Sequence, residues 1–100
     1  MTICQLKIFS VVAKHLNVTK ASRQLYVSQS SISQRLKLLE QECGMKLYNK
    51  VGRGIELTEN GRLLLQEIEP MLRQIEGLKQ EIDRNVKNMK GERSELRRTG

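Results

Sequence analysis

The sequence predicts a mainly α chain of three helices, a two-stranded hairpin and a long closing helix. Three observations carry that expectation. Apolar residues recur at helical spacing through the first part of the chain. A glycine-flanked arginine, Val51-Gly52-Arg53-Gly54, separates two short extended stretches. From Glu59 to about Lys90 the apolar residues fall into heptads. A length of 100 residues limits the whole to one small domain with a modest core.

Leu6, Phe9, Ala13 and Leu16, supported by Ile8 and Val12, define the inward face of a first amphipathic helix. Asn17-Val18-Thr19 interrupts it, and Thr19 is the expected cap of a short second helix from about Lys20 to Leu25, with Ala21 and Leu25 inward. Ser28 then caps a third helix to about Glu42. Ile32, Leu36 and Leu39 face the core, and Gly44 stops it. Its other face carries Gln29, Ser30, Ser33, Gln34 and Lys37. Serine lowers helix propensity, so an amide- and hydroxyl-rich face sacrifices stability and calls for a reason.

The extended stretches, Lys46 to Lys50 and Ile55 to Leu57, form a hairpin with a cationic tip. Thr58 caps the closing helix, with Glu59 in its first turn. Ile68, Ile75, Ile82 and Met89 recur every seven residues, and Leu64, Met71 and Leu78 fill the second seam position, which Asn85 continues as a polar exception. So long a stripe needs a second chain to cover it. Pro70 is expected to kink this helix or break it in two, because it lacks an N–H and crowds the carbonyl of Gln66. Three segments follow: 1–58, a head; 59–90, a dimerisation helix; and 91–100, a charged hinge or tail.

The charge is uneven. Eighteen Lys and Arg stand against eleven Asp and Glu, and the net +7 lies entirely within residues 1–55, which hold nine basic and two acidic side chains. Residues 56–100 hold nine of each. A basic head beside a neutral helix suits a polyanion. No apolar run is long enough for a membrane span, and no signal peptide is evident. Cys4 and Cys43 lack metal-ligand spacing and are read as free thiols of a cytoplasmic protein. His15 has no acid–base company and is expected at the surface near a helix end, so neither catalysis nor a cofactor is expected.

Helix, short helix, polar helix and basic hairpin is the order of a winged helix-turn-helix. In that arrangement the third helix enters the major groove of double-stranded DNA, where amide and hydroxyl side chains read base edges. Gln29, Ser33 and Gln34 are the expected readers, and Arg35 and Lys37 reach flanking phosphates. Lys20, Arg23, Lys50 and Arg53 hold the backbone, with the minor groove as the alternative place for Arg53. A competing reading is a coiled-coil interaction module whose basic half binds an acidic protein, but such a partner would not require the amide-and-hydroxyl face.

The run Phe9-Ser10-Val11-Val12-Ala13-Lys14, Thr19-Lys20-Ala21-Ser22, Leu25, Val27-Ser28-Gln29, Ile32-Ser33, Leu39-Glu40, Gly44, Leu47-Tyr48 and Leu57-Thr58-Glu59-Asn60-Gly61 resembles the N-terminal domain of LysR-type transcriptional regulators. The resemblance implies a winged helix-turn-helix, a homodimer through antiparallel linker helices on a pseudo-palindromic site, and room for a tetramer in the full-length protein. It also implies an effector-sensing domain beyond residue 100, the only place for a small-molecule effector, so the chain is expected to be part of a longer protein. It puts Gln29, Ser30, Ser33 and Gln34 at base-reading positions and Thr19, Ser31, Lys50 and Arg53 at backbone-contacting ones. The sequence departs from the family pattern at Ser30, where proline is usual, at Tyr48 and Lys50, where Phe and Arg are common, and at Asn17 and Ser22.

Overall fold

Thr2 starts the fold by closing a reciprocal cap with Gln5. Its hydroxyl accepts from the Gln5 N–H at 3.1 Å, and its own N–H donates to Gln5 Oε1 at 2.9 Å. The computed structural model describes residues 1–99, with side chains described for residues 1–88. Helix α1 (Ile3–His15) buries Ile8, Phe9, Val12 and Ala13. It ends on Leu16, which adopts the left-handed conformation at φ 51° and returns its N–H to Val12 O. Leu16 therefore leaves the helical period. It is exposed rather than inward, a correction to the spacing argument.

Helix α2 (Val18–Leu25) is capped by Asn17, not Thr19, with Asn17 Oδ1 accepting from the Lys20 N–H at 2.9 Å. Asparagine is at least as good a cap as threonine, and starting earlier gives so short a helix more hydrogen bonds. Tyr26 ends α2 in the left-handed region, and the hydroxyl of Ser22 donates to Val27 O at 2.5 Å. A side chain thus braces the turn. Ser28 then caps α3 (Gln29–Cys43), its Oγ accepting from the Ser31 N–H at 3.2 Å, and Gly44 closes that helix at φ 68°, both as expected.

Strands β1 (Tyr48–Val51) and β2 (Gly54–Leu57) pair antiparallel, Lys50 opposite Ile55 and Val51 opposite Gly54. The first strand begins later than the sequence suggests, because residues 46 and 47 have other partners. Lys46 O accepts from the Thr58 hydroxyl at 2.6 Å, and Leu47 O from the Thr58 N–H at 3.0 Å. The same hydroxyl accepts from the Gly61 N–H at 3.0 Å and so caps α4 (Glu59–Thr99). Pro70 lies inside α4, so of the two expected outcomes, a kink or a break into two pieces, the break does not occur. Proline there removes one donor, at an exposed position where the orphaned carbonyl can be hydrated.

The chain divides into two compact units, residues 1–70 and the remainder from Met71. In the first, Phe9, Val12, Ile32, Leu36, Leu39 and Leu47 are the largest fully buried side chains. Each stabilises the fold by about 1.5–3 kcal/mol through burial. Ile68 joins this core at 3% exposure, while Leu64 is half-buried. In the second unit Met71, Leu78, Ile82 and Val86 are exposed and Ile75 is half-buried. The side chains of Met89 and of residues 91–100 lie outside those described, and α4 continues to Thr99 through the segment expected to be a hinge or tail.

Two glycines mark backbone contacts that leave no room for a side chain. A Cβ on Gly54 would lie 2.7 Å from Leu16 O, and one on Gly61 would lie 2.1 Å from Leu47 O. Gly77, by contrast, has open space around it. Gly61→Ala is therefore expected to destabilise by about 1–3 kcal/mol through overpacking. Gly77→Ala should stabilise its helix by about 0.5–1 kcal/mol. Urea titrations of the two variants beside the parent chain check both signs.

Candidate nucleic-acid interface

The N-terminal end of α3 faces a cationic hollow. Its helical period turns Ile32, Leu36 and Leu39 inward and leaves Gln29, Ser30 and Gln34 exposed and Ser33 half-buried. Across from Gln29 and Ser33 stand the start of α2 and the hairpin. What brings those together is one hydrogen bond, from the Ile55 N–H to Leu16 O at 3.0 Å, made possible by the bare backbone of Gly54. Gly52 supplies the positive φ, 57°, at the first central position of the two-residue turn, which sets Arg53 at its exposed tip.

The resulting concavity of about 500 Å³ is lined by Thr19, Lys20 and Arg23 from α2, Gln29 and Ser33 from α3, and Lys50 and Arg53 from the hairpin. Asn17 and Val18 complete its floor with Gly52, Gly54 and Ile55. No carboxylate lines it. Seven residues singled out from the sequence thus converge from three separate stretches of chain. The side chains of Gln29, Ser33 and Gln34 form no hydrogen bond among the described residues, so their donors and acceptors remain available to an external partner.

A second concavity of about 580 Å³ adjoins the first along α3 and β1, sharing Ser33 and Lys50 with it. Ser30, Gln34 and Lys37 line it from the helix, and Lys46, Tyr48 and Asn49 from the hairpin side. Lys46, Tyr48 and Asn49 were not named as contact residues from the sequence. For Lys46 and Tyr48 the available signal was their alternation with Lys50 along an extended segment, which directs side chains to one face. Asn49 has the opposite parity and carries no such signal.

Two expected contact residues line neither concavity. Ser31 is half-buried and gives its N–H to the Ser28 cap. Arg35 turns toward α1, where its Nη1 donates to Cys4 Sγ at 3.2 Å. His15 is half-buried rather than fully on the surface, with Nε2 at 2.6 Å from Gln24 Oε1. Cys4 and Cys43 are free thiols. Among the described residues no helix is long and apolar enough to cross a membrane.

Three helices and a two-stranded wing, with the third helix displayed beside the wing, define a winged helix-turn-helix protein. Residues 3–62 match the family described as bacterial regulatory helix-turn-helix protein, lysR family. The chain belongs to that family. It is 41% identical over 70 residues to a carbapenem-hydrolyzing beta-lactamase transcriptional activator of Enterobacter cloacae, a match covering 70% of this chain and 24% of that protein. It is 44% identical over 71 residues to a probable RuBisCO transcriptional regulator of Phaeodactylum tricornutum, covering 71% and 23%. The chain therefore spans about a quarter of the length of these relatives.

Among solved structures, the DNA-binding domain of CbnR in complex with DNA superimposes with a TM-score of 0.74 at 34% identity, covering 86% of this chain and 98% of that one. Full-length AphB, a virulence activator of Vibrio cholerae, gives a TM-score of 0.77 at 26% identity, covering 82% of this chain and 28% of that one.

Tyr48 is the one residue of this surface with a resolved shift in its titration. Partial burial, and then the nearby Glu40 carboxylate, raise its phenol above the ordinary value of 10.0. Both favour the neutral ring, so the fold keeps its full stability below pH 10 and loses part of it as pH rises through the folded-state value. In a Tyr26→Phe background, which leaves Tyr48 as the only tyrosine, ultraviolet titration should show the phenol ionising above pH 10 when folded. It should return to about 10 in urea.

Proposed function

We propose that this chain is the DNA-binding and dimerising part of a lysR-type transcriptional regulator that acts on double-stranded DNA in the cytoplasm. The observation that carries the reading is the first concavity, where cations from α2 and the wing surround the free polar ends of α3. Helix α3 enters the major groove. Gln29, Ser30, Ser33 and Gln34 read base edges there, with Gln29 suited to the N6 and N7 of adenine. Thr19, Lys20, Arg23, Lys37, Lys50 and Arg53 take phosphates and set the register. Ser31, which gives its N–H to the Ser28 cap, and Arg35, whose guanidinium turns toward α1, line neither concavity and carry no contact in this reading. The relatives' names as transcriptional activators and regulators, and the CbnR complex with DNA, support the same role.

The second unit supplies dimerisation. Met71, Leu78 and Ile82 form an apolar stripe that water otherwise covers, and Ile75 and Met89 extend the heptad series. Of the earlier seam positions, Ile68 is taken up by the core of the first unit and Leu64 is half-buried there. A homodimer places two recognition helices about one helical turn apart on a pseudo-palindromic operator. Control by a small molecule belongs to a further domain of the longer protein. The reading involves no catalysis and no cofactor.

Binding-site selection from a random duplex library tests it, and enrichment of a motif with dyad symmetry is the expected result. Arg53→Ala should weaken binding to the selected and scrambled duplexes alike and make the salt dependence shallower by about 0.9 in log–log slope for each bound protomer. Gln29→Ala should cost about 1–3 kcal/mol on the selected site and relax preference at one base pair. An equal loss on both duplexes would remove Gln29 from the readers. Ile82→Asp should shift the chain to monomer in sedimentation velocity, with loss of preference for two half-sites over one.

A further inference from the structure

The second concavity contains a cation that the DNA-binding reading has not used. Lys46 lies on its rim, with its Nζ 5.4 Å from the centre of the Tyr48 ring, and Lys37 and Lys50 line the same hollow. The nearest carboxylate is Glu40, whose Oε2 is occupied by the Leu47 N–H at 2.8 Å while its Oε1 stands 3.9 Å from Lys46 Nζ. Glu40 is nearly enclosed, whereas the Lys46 side chain is 64% exposed. An ion pair this long and this exposed is weak and easily exchanged for a stronger anion. The ring face adds a second restraint on the lysine without consuming its hydrogen-bond donors. Lys46 is thus steered toward one side while its ammonium remains open to solvent.

We propose that the hollow between α3 and β1 is a second phosphate seat, in which Lys46, guided by the Tyr48 ring and the Glu40 carboxylate, grips the duplex backbone. The phosphate it takes is separate from the one held by Arg53 at the wing tip. Ser30 and Gln34 line the same hollow as Lys46, so this contact fixes the backbone beside the side chains that read bases. Lys46 contributes affinity and register without sequence preference. The inference rests on the DNA-binding reading and adds a residue to it.

The test measures binding of the chain to its selected duplex by fluorescence anisotropy, with single phosphates replaced in turn by uncharged methylphosphonates. For the parent chain each contacted phosphate shows as a position where replacement weakens binding. Lys46→Ala should lose affinity severalfold on selected and scrambled duplexes equally, with a salt slope shallower by about 0.9 for each bound protomer. It should also become insensitive to replacement at one phosphate of each half-site, and Arg53→Ala at a different one. Lys46→Arg should keep the parent's slope. Tyr48→Phe retains the ring face and should behave as the parent, whereas Tyr48→Leu should lose part of the Lys46 effect.

An unchanged slope in Lys46→Ala, or insensitivity of both alanine variants at the same phosphate, overturns the second seat while leaving DNA binding intact. A parent chain whose binding does not depend on salt overturns the DNA-binding reading itself, and the seat with it.

Discussion

The carbonyl of Leu16 is the point on which the geometry of the interface depends. A left-handed residue at the end of α1 turns that oxygen outward, and the wing docks on it through the N–H of Ile55. The approach is so close that only glycine is accommodated at position 54. This contact anchors the hairpin close to its turn, where pairing between two strands alone is of marginal stability. With it, Lys50 and Arg53 are held opposite Lys20, Arg23 and Gln29. A backbone hydrogen bond thus determines which charges face one another, although none of the charged side chains takes part in it.

Thr58 makes the corresponding connection at the other end of the hairpin. Its backbone and side chain bond both Lys46 and Leu47 carbonyls, and its hydroxyl also caps α4. Glu40 adds a link from α3 by accepting from the Leu47 N–H. The segment before β1 is consequently tied to the recognition helix and to α4 at once. That is why strand pairing begins only at Tyr48, and why Lys46 and Tyr48 hold a defined place beside α3.

Much of this was legible in the sequence because each helix has a strong local signal. Ser28 and Gly44 delimit α3 by cap chemistry, and the apolar period of Ile32, Leu36 and Leu39 turns the polar face outward. The hairpin follows from its glycines. The errors fall where a tertiary contact outweighs a local pattern. Leu16 continues the apolar spacing yet serves as a left-handed cap, and Asn17 takes the cap assigned to Thr19. Arg35 appears in sequence as one more cation of the third helix, but the neighbouring Cys4 draws its guanidinium toward α1. Ile68 appears as one seam position among equals until the first unit buries it. Lys46 and Asn49 gain meaning only when β1 lies beside α3.

Because Gln29, Ser33 and Gln34 hold no other part of the molecule in place, the fold places few demands on their identity. The core beneath them, the cap at Ser28 and the braced turn at Ser22 are complete without them. On the proposed assignment of these residues to base reading, substitution there alters which bases are preferred at little expense to folding. Recognition in such a domain can diverge quickly between descendants of one ancestor while the scaffold stays nearly constant. The low helix propensity of the serine-rich face is the small standing cost of that freedom.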